Sequence, residues 1–144
     1  CITRFTRTTN QKGIKPMPFV TLYLPKGCDN QALEKSMREI TAAGADTLEN
    51  TLPRMVRVTV FEADPARVYE GGAHTDTLHP VVLFRIGPGR SGEAKDSFMN
   101  QIAEILHNNL NCPKENVRAY VMDNEEGHHF CIGGKPKDFT KKVK

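Results

Sequence analysis

The residues of this sequence best suited to chemistry are a few arginines placed among ordinary surface charges. Arg57 and Arg118 alternate with valine and alanine in strand-like segments, and Arg90 follows a Gly-Pro-Gly turn. Guanidinium groups hold carboxylates through paired, charge-assisted hydrogen bonds, so two or three of them suffice for a small anion. The net charge is only +3, and the basic residues are not interleaved with aromatics as in nucleic-acid-binding proteins. The pattern favours a small anionic ligand and argues against nucleic acid.

Histidines and cysteines do not indicate a metal site. His128 and His129 are adjacent, and on an extended strand neighbouring side chains point to opposite sides, so they cannot chelate one ion. The four cysteines lack zinc-ligand and redox-motif spacing; they are Cys1, Cys28, Cys112 and Cys131. We therefore predict no metal site. Reduced thiols are typical of a cytoplasmic protein, which is the location we predict.

The segment 1–17 differs in composition from the rest of the chain. It begins with Cys, and up to Lys15 it contains four basic residues and no acidic ones. We expect a leader or vector-derived segment here, with a transit peptide as a weaker alternative, and exclude it from the fold. No apolar run approaches the length of about 18 residues that spans a bilayer, so no membrane association is predicted.

From Met17 onward the chain repeats itself at an offset of 62 residues. Prolines, glycines and apolar residues keep this spacing together, for example in the pairs Pro18/Pro80, Gly27/Gly89, Met37/Met99, Ile40/Ile102 and Leu48/Leu110. Arg57 and Arg118 pair at an offset of 61, after a one-residue slip. We predict one domain, 18–144, made of two repeats, 18–79 and 80–144.

Each repeat has the pattern strand, helix, strand. The predicted strands are rich in β-branched and aromatic residues and comprise Phe19–Leu24, Met55–Phe61, Val81–Ile86 and Val117–Met122. Asp29 and Ser91 are the predicted helix N-caps, and the first helix is expected to weaken at Gly44. Long crossovers imply parallel pairing within each unit. The predicted class is α+β, a four-stranded sheet with two helices on one face.

In order and spacing these segments resemble the tautomerase superfamily, as a fused pair of 4-oxalocrotonate tautomerase-like units. The second half carries the resemblance most fully, in the opening strand and turn from Pro80 through Arg90-Ser and in Gly127-His-His-Phe130-Cys-Ile-Gly-Gly. The first half retains Met17-Pro18-Phe-Val, Val56-Arg57-Val58 and Val68-Tyr69-Glu-Gly-Gly. The resemblance implies the fold described above, which the periodicity also predicts.

The resemblance also implies a mechanism based on a free N-terminal proline, which Pro18 matches. A desolvated pocket and nearby arginines disfavour the ammonium form, so the pKa of such an amine falls below its usual value of about 7.7–8.0. The neutral amine then removes a proton next to a carbonyl while arginines hold the substrate carboxylate. Pro80 cannot act in this way, because His79 acylates its nitrogen. Arg90 matches the substrate-binding arginine of the turn, whereas the first repeat has Cys28 there.

We therefore expect a single catalytic site per chain, with Pro18 and Arg90 as catalytic residues. Arg57 and Arg118 match a second-strand arginine that reaches into a neighbouring unit's site; the sequence does not distinguish which of them serves catalysis. Phe130 resembles the aromatic wall of the pocket, and Tyr69 is its counterpart in the other repeat. These four are the expected substrate-binding residues. Because each unit resembles part of a hexamer and one sheet face lacks a cover, we predict a homotrimer.

Three functions remain open at this point. The first is a cofactor-independent tautomerase acting on a small unsaturated 2-oxo or 2-hydroxy acid. The second is a haloacrylate dehalogenase or decarboxylase of the same superfamily; such fused members use an early His, which is lacking before His74, and a late Glu, for which Glu125 and Glu126 are candidates. The third is a non-catalytic oligomeric scaffold, which applies if Pro18 stays acylated. The state of the Pro18 nitrogen distinguishes the scaffold from the enzymes.

Overall fold

The computed structural model describes residues 18–75, 79–124 and 130–137. These residues contain eight strands, two α-helices and three single-turn 3₁₀ helices, joined by turns and loops. In chain order the strands and α-helices are β1 Phe19–Pro25, α1 Asn30–Thr47, β2 Arg57–Ala63, β3 Tyr69–Glu70, β4 Ala73–His74, β5 Val81–Ile86, α2 Gly92–Leu110, β6 Arg118–Asp123, β7 Phe130–Ile132 and β8 Lys135–Lys137. The expected leader 1–17, the pair His128–His129 and the candidates Glu125 and Glu126 lie outside the described residues.

Four of the strands form the main sheet, in the order β2-β1-β5-β6. The outer pairs β1–β2 and β5–β6 are parallel, and the central pair β1–β5 is antiparallel, with Phe19 opposite Arg85 and Tyr23 opposite Val81. The predicted class and the parallel pairing within each repeat are confirmed. The antiparallel centre relates the two repeats by a pseudo-two-fold axis.

The core lies between the sheet and the two helices. Alternate residues of the central strands are buried against the helices, as the period of a β-strand requires: Val20, Leu22 and Leu24 from β1, and Val82, Phe84 and Ile86 from β5. From α2, Phe98, Ile102 and Leu106 meet them at helical spacing. Phe98 packs edge-on against Phe84, with ring centroids 5.1 Å apart.

Both helices begin at the predicted N-caps. The Asp29 carboxylate accepts a hydrogen bond from the Ala32 backbone N–H at 2.9 Å, and the Ser91 hydroxyl accepts one from the Ala94 N–H at 3.2 Å. Each cap satisfies a backbone donor that the first helical turn leaves without a partner and contributes about 1 kcal/mol. The caps also fix where the loops after β1 and β5 end.

The first helix does not weaken at Gly44, contrary to expectation, but continues to Thr47. Gly44 is buried where α1 approaches its neighbours, and a Cβ built there would lie 3.3 Å from Phe98 Cζ and 3.4 Å from Val56 Cγ2. The glycine therefore permits close approach of helix and core, which compensates for its low helix propensity of about 1 kcal/mol relative to alanine.

Replacing Gly44 with valine should destabilise the fold because the added atoms would overlap Phe98, whose ring is itself fully buried. Overpacking of this kind costs about 1–3 kcal/mol, which corresponds to a melting temperature lower by roughly 3–12 °C for a chain of this size. Gly92→Val is the matched control, since nothing lies within 4 Å of a Cβ there. Equal melting temperatures for the two variants would contradict this packing.

The second strand of each repeat begins later than predicted. Single 3₁₀ turns, Pro53–Met55 and Lys114–Asn116, occupy the segments just before β2 and β6. Each repeat also carries a short hairpin that the periodicity did not reveal, β3–β4 and β7–β8. Both hairpins turn at a Gly-Gly pair with positive φ in each residue, a backbone conformation that glycine adopts without strain.

The face of the sheet away from the helices, here called the open face, is not covered within the described residues. Its exposed large side chains include Tyr23, Phe61, Val81, Tyr120 and Met122, of which Phe61 is 54% and Tyr120 69% exposed. Exposed large apolar side chains grouped on one face mark an interaction site. Neither described helix is long and apolar enough to cross a membrane.

Candidate functional site

The antiparallel centre of the sheet brings distant parts of the two repeats together at each end. At the Pro18 end, the beginnings of β1 and β2 meet the ends of β5 and β6, so Pro18 lies beside the loop from Gly87 to Arg90. At the Pro80 end, the pseudo-symmetric arrangement places Pro80 beside the loop from Pro25 to Cys28. The two ends thus offer equivalent backbone frames with different side chains.

The two prolines are held identically. Both are buried, and each carbonyl accepts a hydrogen bond from the backbone N–H of the arginine that begins the parallel neighbouring strand: Arg57 to Pro18 and Arg118 to Pro80, both at 3.0 Å. A strand start suits proline, which has no N–H to contribute to the ladder. The ladder therefore fixes the position of the Pro18 ring at one end of the sheet.

Arg90 is anchored by two hydrogen bonds. Its Nη1 donates to the Gly87 carbonyl at 3.1 Å, and its Nη2 donates to the Thr51 hydroxyl at 3.0 Å. The side chain is half-buried, and its Nε is buried with no hydrogen-bond partner among the described residues. The guanidinium is thus held in one place between the loop after β5 and the segment after α1.

Charges around Arg90 partly compensate for its burial. Burial lowers the pKa of Arg90, whereas the negative charges of Glu49 and Asp123 act in the opposite direction. The Glu49 carboxylate accepts hydrogen bonds from the Ser91 N–H at 3.2 and 3.3 Å. Hydrogen bonding from Ser91 is the main cause of the lowered pKa of Glu49, and the Arg90 charge adds to it. An arginine in this setting stays protonated.

The second-strand arginines lie at opposite ends of the chain's own sheet. Arg57 is at the Pro18 end, exposed on the open face, with its guanidinium carbon 5.5 Å from the centre of the Phe19 ring. Arg118 is at the Pro80 end, where its Nη1 donates to the Glu115 carbonyl at 2.6 Å. Of these two arginines, Arg57 therefore shares an end with Pro18 and Arg90 of the same chain.

The two aromatic candidates lie on the hairpins. Tyr69 is 66% exposed on β3, beyond the end of β2, and its ring meets that of His74 edge-on at 4.4 Å. This places Tyr69 at the Pro80 end, away from Pro18 of the same chain. The backbone of Phe130 pairs with Lys137 in the β7–β8 hairpin, and the Phe130 side chain lies outside the described atoms.

The Pro80 end contains a cavity in place of a guanidinium. Cys28 occupies the position equivalent to Arg90, and its thiol donates to the Pro25 carbonyl at 3.6 Å, as Arg90 does to Gly87. A pocket of about 580 Å³ opens beside it, lined by Lys26, Cys28, Asn109 and Asn111 among others. Burial raises the pKa of the Cys28 thiol, which disfavours a nucleophilic thiolate.

Sequence reasoning did not identify Glu49 and Thr51, the two residues that surround Arg90. Both follow the last turn of α1, just beyond the Leu48/Leu110 pair. With its one-residue slip the repeat aligns Thr51 with Cys112, as it aligns Arg90 with Cys28, but this alignment does not reveal the contact between Thr51 and Arg90. Among the residues described, no cluster of three or more His, Cys, Asp or Glu side chains could hold a metal ion.

Comparison with known sequences gives short tautomerases. The chain is 35% identical to a 2-hydroxymuconate tautomerase of Pseudomonas sp. strain CF600 over 57 residues, which are 40% of this chain and 89% of that protein. It is 30% identical to a probable tautomerase of Streptococcus pyogenes serotype M3 over 54 residues, 38% of this chain and 88% of that protein. No family model matches the chain. Less than half of this chain thus spans nearly all of each relative.

Comparison with solved structures gives the same fold over most of the chain. A wild-type fused 4-OT described as an asymmetric trimer has a TM-score of 0.74 at 22% identity, over 82% of this chain and 94% of that chain. Leishmania major MIF2 has a TM-score of 0.67 at 13% identity, over 84% and 97% of the two chains. Since 57 residues of this chain match nearly the whole of a short tautomerase and most of the chain superposes on a fused protein, the chain belongs to the tautomerase superfamily as a fused pair of 4-oxalocrotonate tautomerase-like units.

Proposed function

We propose that the chain is a cofactor-independent tautomerase in which Pro18, with its nitrogen as a free amine, is the base and Arg90 holds the substrate carboxylate. The observation that carries this proposal is the meeting of Pro18 and the Gly87–Arg90 loop at one end of the sheet, opposite an end where Cys28 replaces the arginine. Only the Pro18 end combines a proline whose nitrogen can become basic with an anchored guanidinium.

The proposed reaction moves one proton and leaves the substrate's formula unchanged. The neutral Pro18 amine accepts the proton of a dienol hydroxyl or of a carbon next to the carbonyl, and the electron pair is delocalised over the conjugated oxygen. The resulting ammonium then returns the proton to a different carbon, which completes a 1,3- or 1,5-shift. The Arg90 charge stabilises the negative charge that develops during transfer.

The surroundings of Pro18 favour the neutral amine that this reaction requires. Pro18 is buried, and burial disfavours a positive charge. Arg57 at the same sheet end and Arg90 in the loop beside it carry positive charge, which acts in the same direction, whereas Glu49 and Asp123 near Arg90 act against it. A general base works best when its pKa lies close to the operating pH, and a lowered amine pKa meets that condition.

The substrate class follows from the charges and from the relatives. A small unsaturated 2-oxo or 2-hydroxy acid carries the carboxylate that Arg90 would bind, and the short relatives are named for 2-hydroxymuconate. Arg57 would contribute from the same chain, whereas Arg118 would reach Pro18 only from another copy. Phe130 and Tyr69 are the proposed aromatic walls, Tyr69 likewise from another copy.

The proposal is tested with a chain that begins at Pro18, assayed on three substrate types: 2-hydroxymuconate-type dienols, phenylenolpyruvate and 3-haloacrylates. We expect ketonisation of at least one enol without added metal or coenzyme, and at most slow halide release. Halide release faster than ketonisation would favour the dehalogenase alternative. No turnover of any of the three by a folded protein with a verified Pro18 amine would favour the scaffold.

We further propose that three copies assemble through the open face. Its exposed aromatic side chains need a cover, cyclic association provides one, and the fused 4-OT neighbour is described as a trimer. Light scattering at micromolar concentration should give three times the chain mass, and Tyr120→Asp should lower it. Arg38→Asp, an exposed charge change on α1, should not. A monomeric mass for the unaltered chain would contradict the proposal.

A further inference from the structure

We propose that Thr51 is a positioning residue for Arg90, fixing the guanidinium so that it can receive a substrate carboxylate. The inference rests on the role proposed above for Arg90 and adds a residue that neither the repeat nor the family resemblance identifies. The Thr51 hydroxyl lies on the segment after α1. It contacts Arg90 in the loop after β5, 39 residues further along the chain.

The Thr51 hydroxyl accepts one hydrogen bond and donates another. It accepts a hydrogen bond from Arg90 Nη2 at 3.0 Å and donates its own proton to the Glu49 carbonyl at 3.2 Å. A hydroxyl can donate one bond and accept others at the same time, whereas a methyl group can do neither. Because the Glu49 carbonyl takes the proton, a lone pair of Thr51 Oγ1 is left to face the guanidinium.

The surroundings make this contact selective for one arginine conformation. Thr51 is only 7% exposed, so water competes little for its hydroxyl. Arg90 Nη1 is held separately by the Gly87 carbonyl at 3.1 Å, and bonds to two different nitrogens fix the plane of the guanidinium. A free arginine side chain has rotamer entropy that would otherwise be lost when substrate binds.

The two anchoring bonds leave donors for a ligand. A guanidinium has five N–H groups, two of which are used by Gly87 and Thr51. Three N–H groups therefore remain, one on each terminal nitrogen and one on Nε, and bidentate binding of a carboxylate requires two. The anchor thus pre-organises Arg90 without using up its capacity to bind an anion.

The other end of the sheet supports the assignment. The positions equivalent to Arg90 and Thr51 are Cys28 and Cys112, so both members of the pair differ together between the repeats. Cys28 retains the counterpart of the Gly87 bond, through its thiol to the Pro25 carbonyl at 3.6 Å. The threonine hydroxyl is thus present at the end of the sheet that has a guanidinium to orient.

The test is a double-mutant cycle in a chain that begins at Pro18, with a carboxylate enol such as phenylenolpyruvate as substrate. Thr51→Val should raise KM about tenfold while kcat changes less than threefold, since a single hydrogen bond to a charged group is lost. Thr51→Ser, which keeps the hydroxyl, should stay within about twofold of the parent. In an Arg90→Ala background, Thr51→Val should have no further effect, because residues that act through each other are not additive.

Thr47→Val is the control for loss of a threonine hydroxyl, since among the described residues the Thr47 hydroxyl donates to the Ala43 carbonyl of its own helix. Its KM should equal that of the parent. Equal effects of Thr51→Val with and without Arg90 would overturn the positioning role while leaving the proposed function intact, as would an unchanged KM in Thr51→Val. Full activity of Arg90→Ala would overturn the positioning role together with the proposed role of Arg90.

Discussion

A chain that begins at Pro18 should catalyse tautomerisation about 10³-fold faster than a chain in which Met17 remains attached. The attached residue turns the Pro18 nitrogen into an amide, which is neither basic nor nucleophilic, and general base catalysis contributes roughly 10²–10⁴-fold. The measurement compares kcat/KM of the two chains on one dienol substrate. Mass spectrometry of each preparation confirms which residue comes first.

Two controls distinguish an effect of the Pro18 amine on the rate from an effect on folding or assembly. Both chains should have the same melting temperature and the same mass by light scattering, because the ladder bond to the Pro18 carbonyl is present in each. Pro80→Ala should change the rate little, since the Pro80 nitrogen is acylated in any chain that contains His79. Equal rates from the free and the blocked chain would contradict a proline base. Loss of turnover in Pro80→Ala but not in Pro18→Ala would reverse the assignment of the two ends.

Arg90→Ala should lower kcat/KM by about 10²-fold or more, because a charge-assisted clamp on the substrate carboxylate is removed. Arg90→Lys should retain part of the activity, since lysine keeps the charge but not the paired, planar geometry. The measurement is steady-state kinetics on a carboxylate enol, with the melting temperature recorded for each variant.

Cys28→Ala is the matched control for Arg90→Ala, since Cys28 occupies the equivalent position at the Pro80 end and keeps the equivalent contact to the loop carbonyl three residues before it. We expect its kcat/KM to equal that of the unaltered chain. An Arg90→Ala protein that is folded, assembled and fully active would show that the carboxylate is bound elsewhere. A loss in Cys28→Ala as large as that in Arg90→Ala would indicate two working ends.

Much of the fold could be predicted because it depends on local patterns that occur twice. The central strand Val81–Ile86 and the caps Asp29 and Ser91 lie where the sequence places them, since alternation, turn residues and capping chemistry act over a few residues. The continuation of α1 through Gly44 could not be predicted in this way. That glycine is explained by Phe98, which lies 54 positions further along the chain and contacts it only in the folded core.

In the candidate site, too, some residues could be predicted from local sequence patterns and others depend on tertiary contacts. Pro18 and Arg90 could be identified from motifs, and the antiparallel pairing of β1 and β5 explains why they meet. Thr51 and Glu49 could not, because their relation to Arg90 and Ser91 is a side-chain contact between segments about 40 residues apart. The separation of Arg57 from Arg118 likewise needed the strand register, since both occupy the same place in their own repeat.

The most direct test of the proline mechanism is a ¹⁵N NMR titration of the Pro18 amine in a ¹⁵N-proline-labelled chain that begins at this residue, with the pH dependence of kcat/KM measured in parallel. Pro18 is then the single proline nitrogen that titrates, because every other proline nitrogen is an amide. We expect its pKa to lie below about 7.7–8.0, the ordinary value for an α-amino group, and kcat/KM to rise with pH through that same pKa as the neutral amine forms. In Arg90→Ala the pKa should move upward, since a nearby positive charge no longer disfavours the ammonium ion. An amine pKa at or above the ordinary value, together with a rate profile that follows some other group, would contradict the assignment of Pro18 as the base.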